Sequence, residues 1–189
     1  MKSLEEGIPG NKLRIKTKKK LKNIGLLGGT FDPPHKGHLA ISIESKKKFK
    51  LDYIIWAVTK KNPFKNKSIF SLNRRVKLSE KITKFKKFIK VKFYENKIKS
   101  KRMINLINYL KRCNNYNIFL IIGADNLIDF HKWYKWKLIS KKCNILVFDR
   151  SGYKSKALKS IAFKHLKRKN LKFVNFKKVN ISSSKLRKI

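Results

Sequence analysis

Acidic side chains are scarce in this chain: ten Asp and Glu stand against 51 Lys and Arg in 189 residues, a formal net charge of +41. So few carboxylates build no dense acidic cluster, and any Mg²⁺ that takes part has to be held mainly by a phosphate ligand and water. Cysteine is scarcer still. Cys113 and Cys143 lie far apart, in neither a Cys-x-x-Cys nor a Cys/His metal spacing, and a reducing cytoplasm is the default expectation. Long apolar runs are missing as well. None approaches membrane-spanning length, and no apolar stretch follows the basic first twenty residues, so neither a span nor a secretory signal is expected. No internal repeat, low-complexity segment or nucleic-acid-binding motif stands out.

What is present suffices for one folded domain. Hydrophobic residues make up 41% of the chain, which excludes wholesale disorder. The excess charge attracts polyanions, yet the lysines run from end to end rather than forming one patch, a sign of compositional bias. The expectation is non-specific attraction to nucleic acid and a local gathering of phosphates at low salt. Residues 1–21, with the run KTKKK, read as a basic flexible tail, and 22–189 as a single domain.

Apolar runs predict strands over 21–27, 52–58, 88–94, 117–123, 143–150 and 171–176. Between them the pattern predicts helices. One covers 37–49, with Leu39, Ile41 and Ile43 apolar; another follows a Ser71 cap, with Leu72, Val76, Leu78 and Ile82 apolar. A third covers 101–112, with Met103, Ile104, Ile107 and Leu110 on its apolar side, and one or two cover 124–139. Further helices are expected over 155–168 and at the end, from 181. Such alternation predicts an α/β fold, a Rossmann-like parallel sheet with helices on both faces. Ligands of such sheets bind at the carboxyl ends of the strands, here at 28–38, 59–65 and 123–133.

The stretch IGLLGGTFDPPHKGHL, 24–39, organises the rest. Gly28 and Gly29 carry no Cβ, so an anionic ligand can lie against the backbone. A helix beginning near Gly37 is expected to offer free N–H groups and its positive dipole end. His35 and His38 add two imidazole donors able to gain charge beside phosphates. Asp32 suits either the turn itself or a water-mediated contact to a phosphate-bound Mg²⁺. Near the other end, ISSSKLR, 181–187, puts Ser182, Ser183 and Ser184 at a helix start and Arg187 one turn on, a set suited to a triphosphate. In IIGADNLIDFHKWYKW, 121–136, Gly123 permits close approach and Asp125 suits a ribose hydroxyl or a helix cap, while Trp136 is expected in the core.

GGTFDPPHKGH at 28–38 resembles the GxFxPxHxGH signature of the nucleotidyltransferase superfamily, and ISSSKLR is similar to its ISSTxIR-like segment. The run GADNLIDFHKW further resembles the nicotinate-nucleotide adenylyltransferase family, and the likeness extends from Asn23 to Arg187. It implies adenylyl transfer from ATP, as its Mg²⁺ complex, to nicotinate mononucleotide. It implies an ATP site of Gly28, Gly29, Thr30, Phe31, His35, His38, Gly123, Asp125, Ser182, Ser183, Ser184 and Arg187, with His35, His38 and Arg187 acting on the reacting phosphates. On the acceptor side it implies Trp133, stacked on the pyridine ring, with Tyr134, Lys60 and Asn62; Lys36 is a further cationic candidate. No protein metal ligand is implied, and the chemistry is in-line displacement without a protein nucleophile. One departure touches specificity: Met103 stands where the family carries a threonine beside the nicotinate carboxylate. Two other readings remain at this point. One is a sister adenylyltransferase acting on nicotinamide mononucleotide or phosphopantetheine; the other is a basic nucleic-acid-binding protein.

Overall fold

The computed structural model describes residues 21–61, 68–149, 152–166 and 170–175. Within them six strands form one sheet: β1 (Lys22–Gly29), β2 (Tyr53–Val58), β3 (Ile89–Phe93), β4 (Tyr116–Gly123), β5 (Asn144–Phe148) and β6 (Leu171–Val174). The order is β3-β2-β1-β4-β5-β6, and every neighbouring pair is parallel. Chain direction across the sheet reverses at β1, so the switch in strand order lies between β1 and β4. The predicted α/β class and parallel sheet therefore hold.

Side-chain alternation explains the two cores. Ile24 and Leu26 of β1, Ile55 and Ala57 of β2, and Ile118, Leu120 and Ile122 of β4 point to one face. Leu27, Ile54, Trp56, Val58 and Ile121 point to the other. The first face is covered by α4 (Met103–Cys113), α5 (Ala124–Asp129), α6 (Trp136–Lys142), α7 (Lys154–Lys159) and α8 (Ile161–Leu166). The second is covered by α1 (Lys36–Phe49) and α2 (Leu72–Thr83). A single turn, α3 (Glu95–Ile98), follows β3. Gly25 is a packing requirement: a Cβ there would stand 2.9 Å from Ile54 Cγ1 and 3.0 Å from Ile121 Cδ1.

Several expectations change. β1 continues through both glycines, because Gly28 and Gly29 pair with Ala57 and Val58 of β2. The predicted strand 88–94 ends at Phe93, and α3 follows it unannounced. Residues 124–139 divide into α5, a 3-10 turn at Phe130–Lys132, and α6. The predicted helix over 155–168 breaks at Ser160, an extended residue whose hydroxyl donates to Ala157 O and accepts from Phe163 N, closing one helix and capping the next.

The helices on the second face bury unexpected residues. α1 buries Ser42 and Ser45, while Ile43 is exposed. α2 buries Arg75, Ser79 and Thr83, while Leu72, Val76 and Ile82 are only partly covered. Three of the four hydroxyls are satisfied within their own helices: Ser42 donates to His38 O, Ser79 to Arg75 O and Thr83 to Ser79 O, each at 2.7 Å, while Ser45 Oγ has no hydrogen-bond partner among the described residues. Trp136 packs partly buried against Phe130, as expected of a core residue. The helix expected from 181, and most of the expected tail, fall outside the described residues.

Candidate active site

The site begins where β1 ends. Thr30 leaves the strand, Phe31 takes a left-handed backbone (φ 48°), and Asp32, Pro33 and Pro34 lead to His35. Asp32 is 1% exposed and accepts two backbone hydrogen bonds, from Ile69 N at 2.8 Å and Phe70 N at 3.0 Å. Its observed part is thus to hold the segment before α2 against the turn.

His35 caps α1. Its Nδ1 accepts from Gly37 N at 3.1 Å, and His38 Nδ1 accepts in return from His35 N at 3.2 Å. This is a capping box built from two imidazoles in place of the usual hydroxyl and carboxylate. It corrects the expectation of free N–H groups here. Gly37 N is taken by the His35 ring, and His38 N and Leu39 N bond to His35 O. With both Nδ1 atoms accepting, each neutral ring carries its proton on Nε2. Nε2–H is then the donor of each ring.

Beneath the pair stands a column of rings. His35 and His38 lie with centroids 3.9 Å apart, His38 and Phe31 4.9 Å, and Phe31 stacks on Trp56 at 4.8 Å, 12° from parallel. Trp56 Nε1 donates to Ser42 Oγ at 2.9 Å, which fixes the base of the column. Phe31 is 2% exposed, with its ring packed between His38 and Trp56.

A cleft lies beside this turn. It is lined by the end of β2 and the residue after it (Ala57, Val58 and Thr59), by Tyr94, Glu95 and Ile98, and by Ser100, Lys101, Arg102 and Met103. Met103 leans across Gly28, and a Cβ on Gly28 would come within 2.7 Å of Met103 Cε. The glycine thus accommodates a neighbouring side chain, and the methionine found in place of a threonine stands directly at the end of β1. Glu95 Oε1 accepts from Lys60 N at 3.1 Å, while Glu95 Oε2 is enclosed with no hydrogen-bond partner among the described residues. The Lys60 ammonium lies 6.0 Å from the Phe93 ring, at this same edge. The Arg102 guanidinium sits 3.8 Å above the exposed Tyr134 ring.

On the far side of the switch point, Gly123 is the N-cap of α5 and Asp125 lies in that helix's first turn, so the glycine and not the aspartate caps. The Asp125 carboxylate folds back over Gly123, where a Cβ would meet its Oδ1 at 2.4 Å. Trp133 packs on Phe130, centroids 5.1 Å apart, with its indole nitrogen enclosed and without a hydrogen-bond partner among the described residues. Asn62, Ser182, Ser183, Ser184 and Arg187 lie outside the described residues.

Sequence reasoning missed Arg75. It is 2% exposed, and its guanidinium donates to four carbonyls: Thr30 O at 2.5 Å, Thr59 O at 2.7 Å, Phe70 O at 3.0 Å and Lys60 O at 3.1 Å. Burial pulls its pKa below the ordinary value, and the Asp32 and Glu95 carboxylates pull it back up. The signal was the spacing Arg75, Ser79, Thr83, three polar residues one turn apart on one helix face.

These residues gather at the carboxyl edge of the sheet, on either side of the switch in strand order. The chain is an α/β protein with the nucleotidyltransferase-like fold. The family model described as cytidylyltransferase-like matches residues 26–189. A protein of Pelagibacter ubique named probable nicotinate-nucleotide adenylyltransferase is 59% identical over 181 residues, 96% of this chain and 98% of that one. A Bradyrhizobium protein of the same name is 38% identical over 71% of each chain. Among solved structures, the Plasmodium falciparum nicotinic acid mononucleotide adenylyltransferase complexed with NaAD shares the fold, with TM-score 0.71 and 22% identity over 88% of this chain and 83% of that one. This chain belongs to the cytidylyltransferase-like family and, within it, to the nicotinate-nucleotide adenylyltransferases.

Proposed function

We propose that the chain joins ATP to nicotinate mononucleotide, forming deamido-NAD and releasing pyrophosphate. The observation that carries this reading is the histidine pair, set by its own capping box at the carboxyl edge beside the switch point, in a chain of this family. A phosphate oxygen of nicotinate mononucleotide attacks the α-phosphorus of ATP. The bond from that phosphorus to the bridging oxygen breaks, and its electron pair leaves with pyrophosphate. Both reactants carry the groups the chemistry needs, so the protein's work is positioning and charge stabilisation.

In this reading the Nε2–H groups of His35 and His38 donate to phosphate oxygens as charge builds on them. Thr30 and the glycines line the nucleotide's path, Gly123 and Asp125 face the ribose, and Ser182–Ser184 with Arg187 hold the β- and γ-phosphates. The acceptor enters the cleft beside Met103, with Trp133 and Tyr134 toward its ring and Lys60 and Asn62 toward its phosphate. With methionine at the first position of α4, the nicotinate carboxylate is read by first-turn N–H groups and by Lys101 and Arg102, which line the cleft.

Mg²⁺ enters on ATP. In this reading the ion would be held by the nucleotide's phosphates and water. The reading places the enzyme in the cytoplasm, where its substrates are. The two free cysteines agree with that. Among the described residues no helix is long and apolar enough to cross a membrane.

The test is stereochemical. ATP carrying a chiral α-thiophosphate, turned over with nicotinate mononucleotide, is expected to give the dinucleotide with inverted configuration at phosphorus. Retention would mean two displacements through an adenylylated enzyme group and would overturn the in-line mechanism.

A further inference from the structure

Arg75 is the largest polar side chain fully enclosed among the described residues, and it meets the cleft lining through the Thr59 carbonyl, on the side turned away from solvent. Its four acceptors belong to three separate stretches of chain. Thr30 O lies in the turn after β1, Thr59 O and Lys60 O lie in the segment after β2, and Phe70 O lies just before α2. Two carboxylates complete the frame. Asp32 ties the turn to Ile69 N and Phe70 N, and Glu95 ties Lys60 N to the start of α3. The turn after β1 delivers the histidine pair. The segment after β2 forms one wall of the cleft. Arg75 bonds to both of these stretches and to the segment before α2, through a planar group whose donors are fixed relative to one another.

An enclosed guanidinium is a poor way to gain stability, because an apolar side chain of similar volume usually does as well or better. It is a good way to set the distance between two loops. We propose that Arg75 is a positioning residue for the adenylyl transfer, fixing the phosphate-side turn against the acceptor-side wall so that the attacking oxygen and the α-phosphorus meet in line. This rests on the proposed function for its kinetic part and on the geometry alone for its spectroscopic part.

Two consequences separate this role from plain stabilisation. Arg75 contacts no ligand group in this account, so its loss removes little binding shared by ground state and transition state, and kcat carries the effect. The turn also holds Phe31 against His38, with ring centroids 4.9 Å apart, so a displaced turn changes the ring current at His38.

The experiment compares Arg75→Lys, which keeps the charge and loses the fork, and Arg75→Met with a control, Leu166→Ala, a fully buried residue of α8 on the opposite face. All are assayed well below their own melting midpoints. For both Arg75 variants kcat is expected to fall about 100-fold, as for a misplacement of roughly 1 Å, with KM for both substrates within about threefold and the control within about twofold of wild type. In proton–carbon spectra of the ligand-free protein, the ring signals of His35 and His38 are expected to shift in Arg75→Lys while those of His131 and His165 stay in place. Four things would overturn the proposal: kcat within twofold of wild type, a control that loses as much, unmoved His35 and His38 signals, or failure of both Arg75 variants to fold. A wild-type protein that does not turn over nicotinate mononucleotide would sink the proposed function instead, and the spectra, which need no turnover, would still decide the role of Arg75.

Discussion

The two faces of the sheet are packed by different rules. On the face of α4 to α8 the buried helix residues are apolar apart from Ser140: Ile104, Ile107, Leu110, Leu127 and Ile139 among them. On the face of α1 and α2 they are Ser42, Ser45, Arg75, Ser79 and Thr83. The helices of the polar face carry His38, on α1, and Arg75, on α2. Small hydroxyls let α1 and α2 lie close to the strands, and those of Ser42, Ser79 and Thr83 bond back to their own helix. One of them, Ser42, also receives the indole N–H of Trp56 and so seats the ring column under His38. Stability resides mainly on one face and positioning on the other.

The difference can be broken from either side. Ile107→Ala, at a residue with no exposed surface in the apolar core, is expected to cost about 2–5 kcal/mol in urea unfolding and to leave kcat within about twofold at a temperature where the variant is folded. A large loss of kcat would show that the apolar face also sets the site. Ser42→Ala leaves the buried Trp56 N–H without its acceptor; about 1–3 kcal/mol of stability and a measurable part of kcat are expected to go together. Stability loss with unchanged kcat would detach the ring column from catalysis.

The two cysteines report on the same contrast more gently. Cys143 is buried on the apolar face, donates to Ile139 O, and burial pushes its thiol up to about 12. Cys113 is exposed. A disulfide reagent at mild alkaline pH is expected to titrate one thiol in the native protein and both in denaturant. Two fast thiols would mean that this face opens readily. The smallest effect is at the surface. Glu44→Gln removes the partner of Lys48, an i, i+4 pair at 2.9 Å, and is expected to change the melting free energy by less than about 0.5 kcal/mol and kcat not at all.

How much of this was legible follows the same division. Apolar runs announce β1, β2, β4 and β5, because strands buried on both faces must be apolar throughout. Alternation with helices then yields the parallel sheet. The α4 prediction succeeds because Ile104, Ile107 and Leu110 form an ordinary apolar stripe. α2 misleads because its inner face is Arg75, Ser79 and Thr83, which a hydrophobic template assigns to solvent. The histidines were legible as a motif, but not as a capping box: that they accept through Nδ1, and so donate through Nε2, depends on backbone geometry that spacing does not contain. That the Phe31 ring packs on Trp56 was not legible either, because it depends on a left-handed backbone at that residue. Glu95 gave no signal, since the turn that carries it was read as the end of a strand.

The measurement that tests the central claim most directly is pyrophosphate release from ATP and Mg²⁺ with nicotinate mononucleotide, nicotinamide mononucleotide and phosphopantetheine in parallel, for the wild type and for His38→Ala. The account predicts turnover chiefly with nicotinate mononucleotide and a fall in kcat of about 10²–10³-fold in the variant, the usual cost of removing one donor to a developing anion. Release mainly with another acceptor would contradict the assignment of the cleft. Undiminished turnover in His38→Ala would contradict the role of the histidine pair, and no release with any acceptor would contradict adenylyl transfer itself.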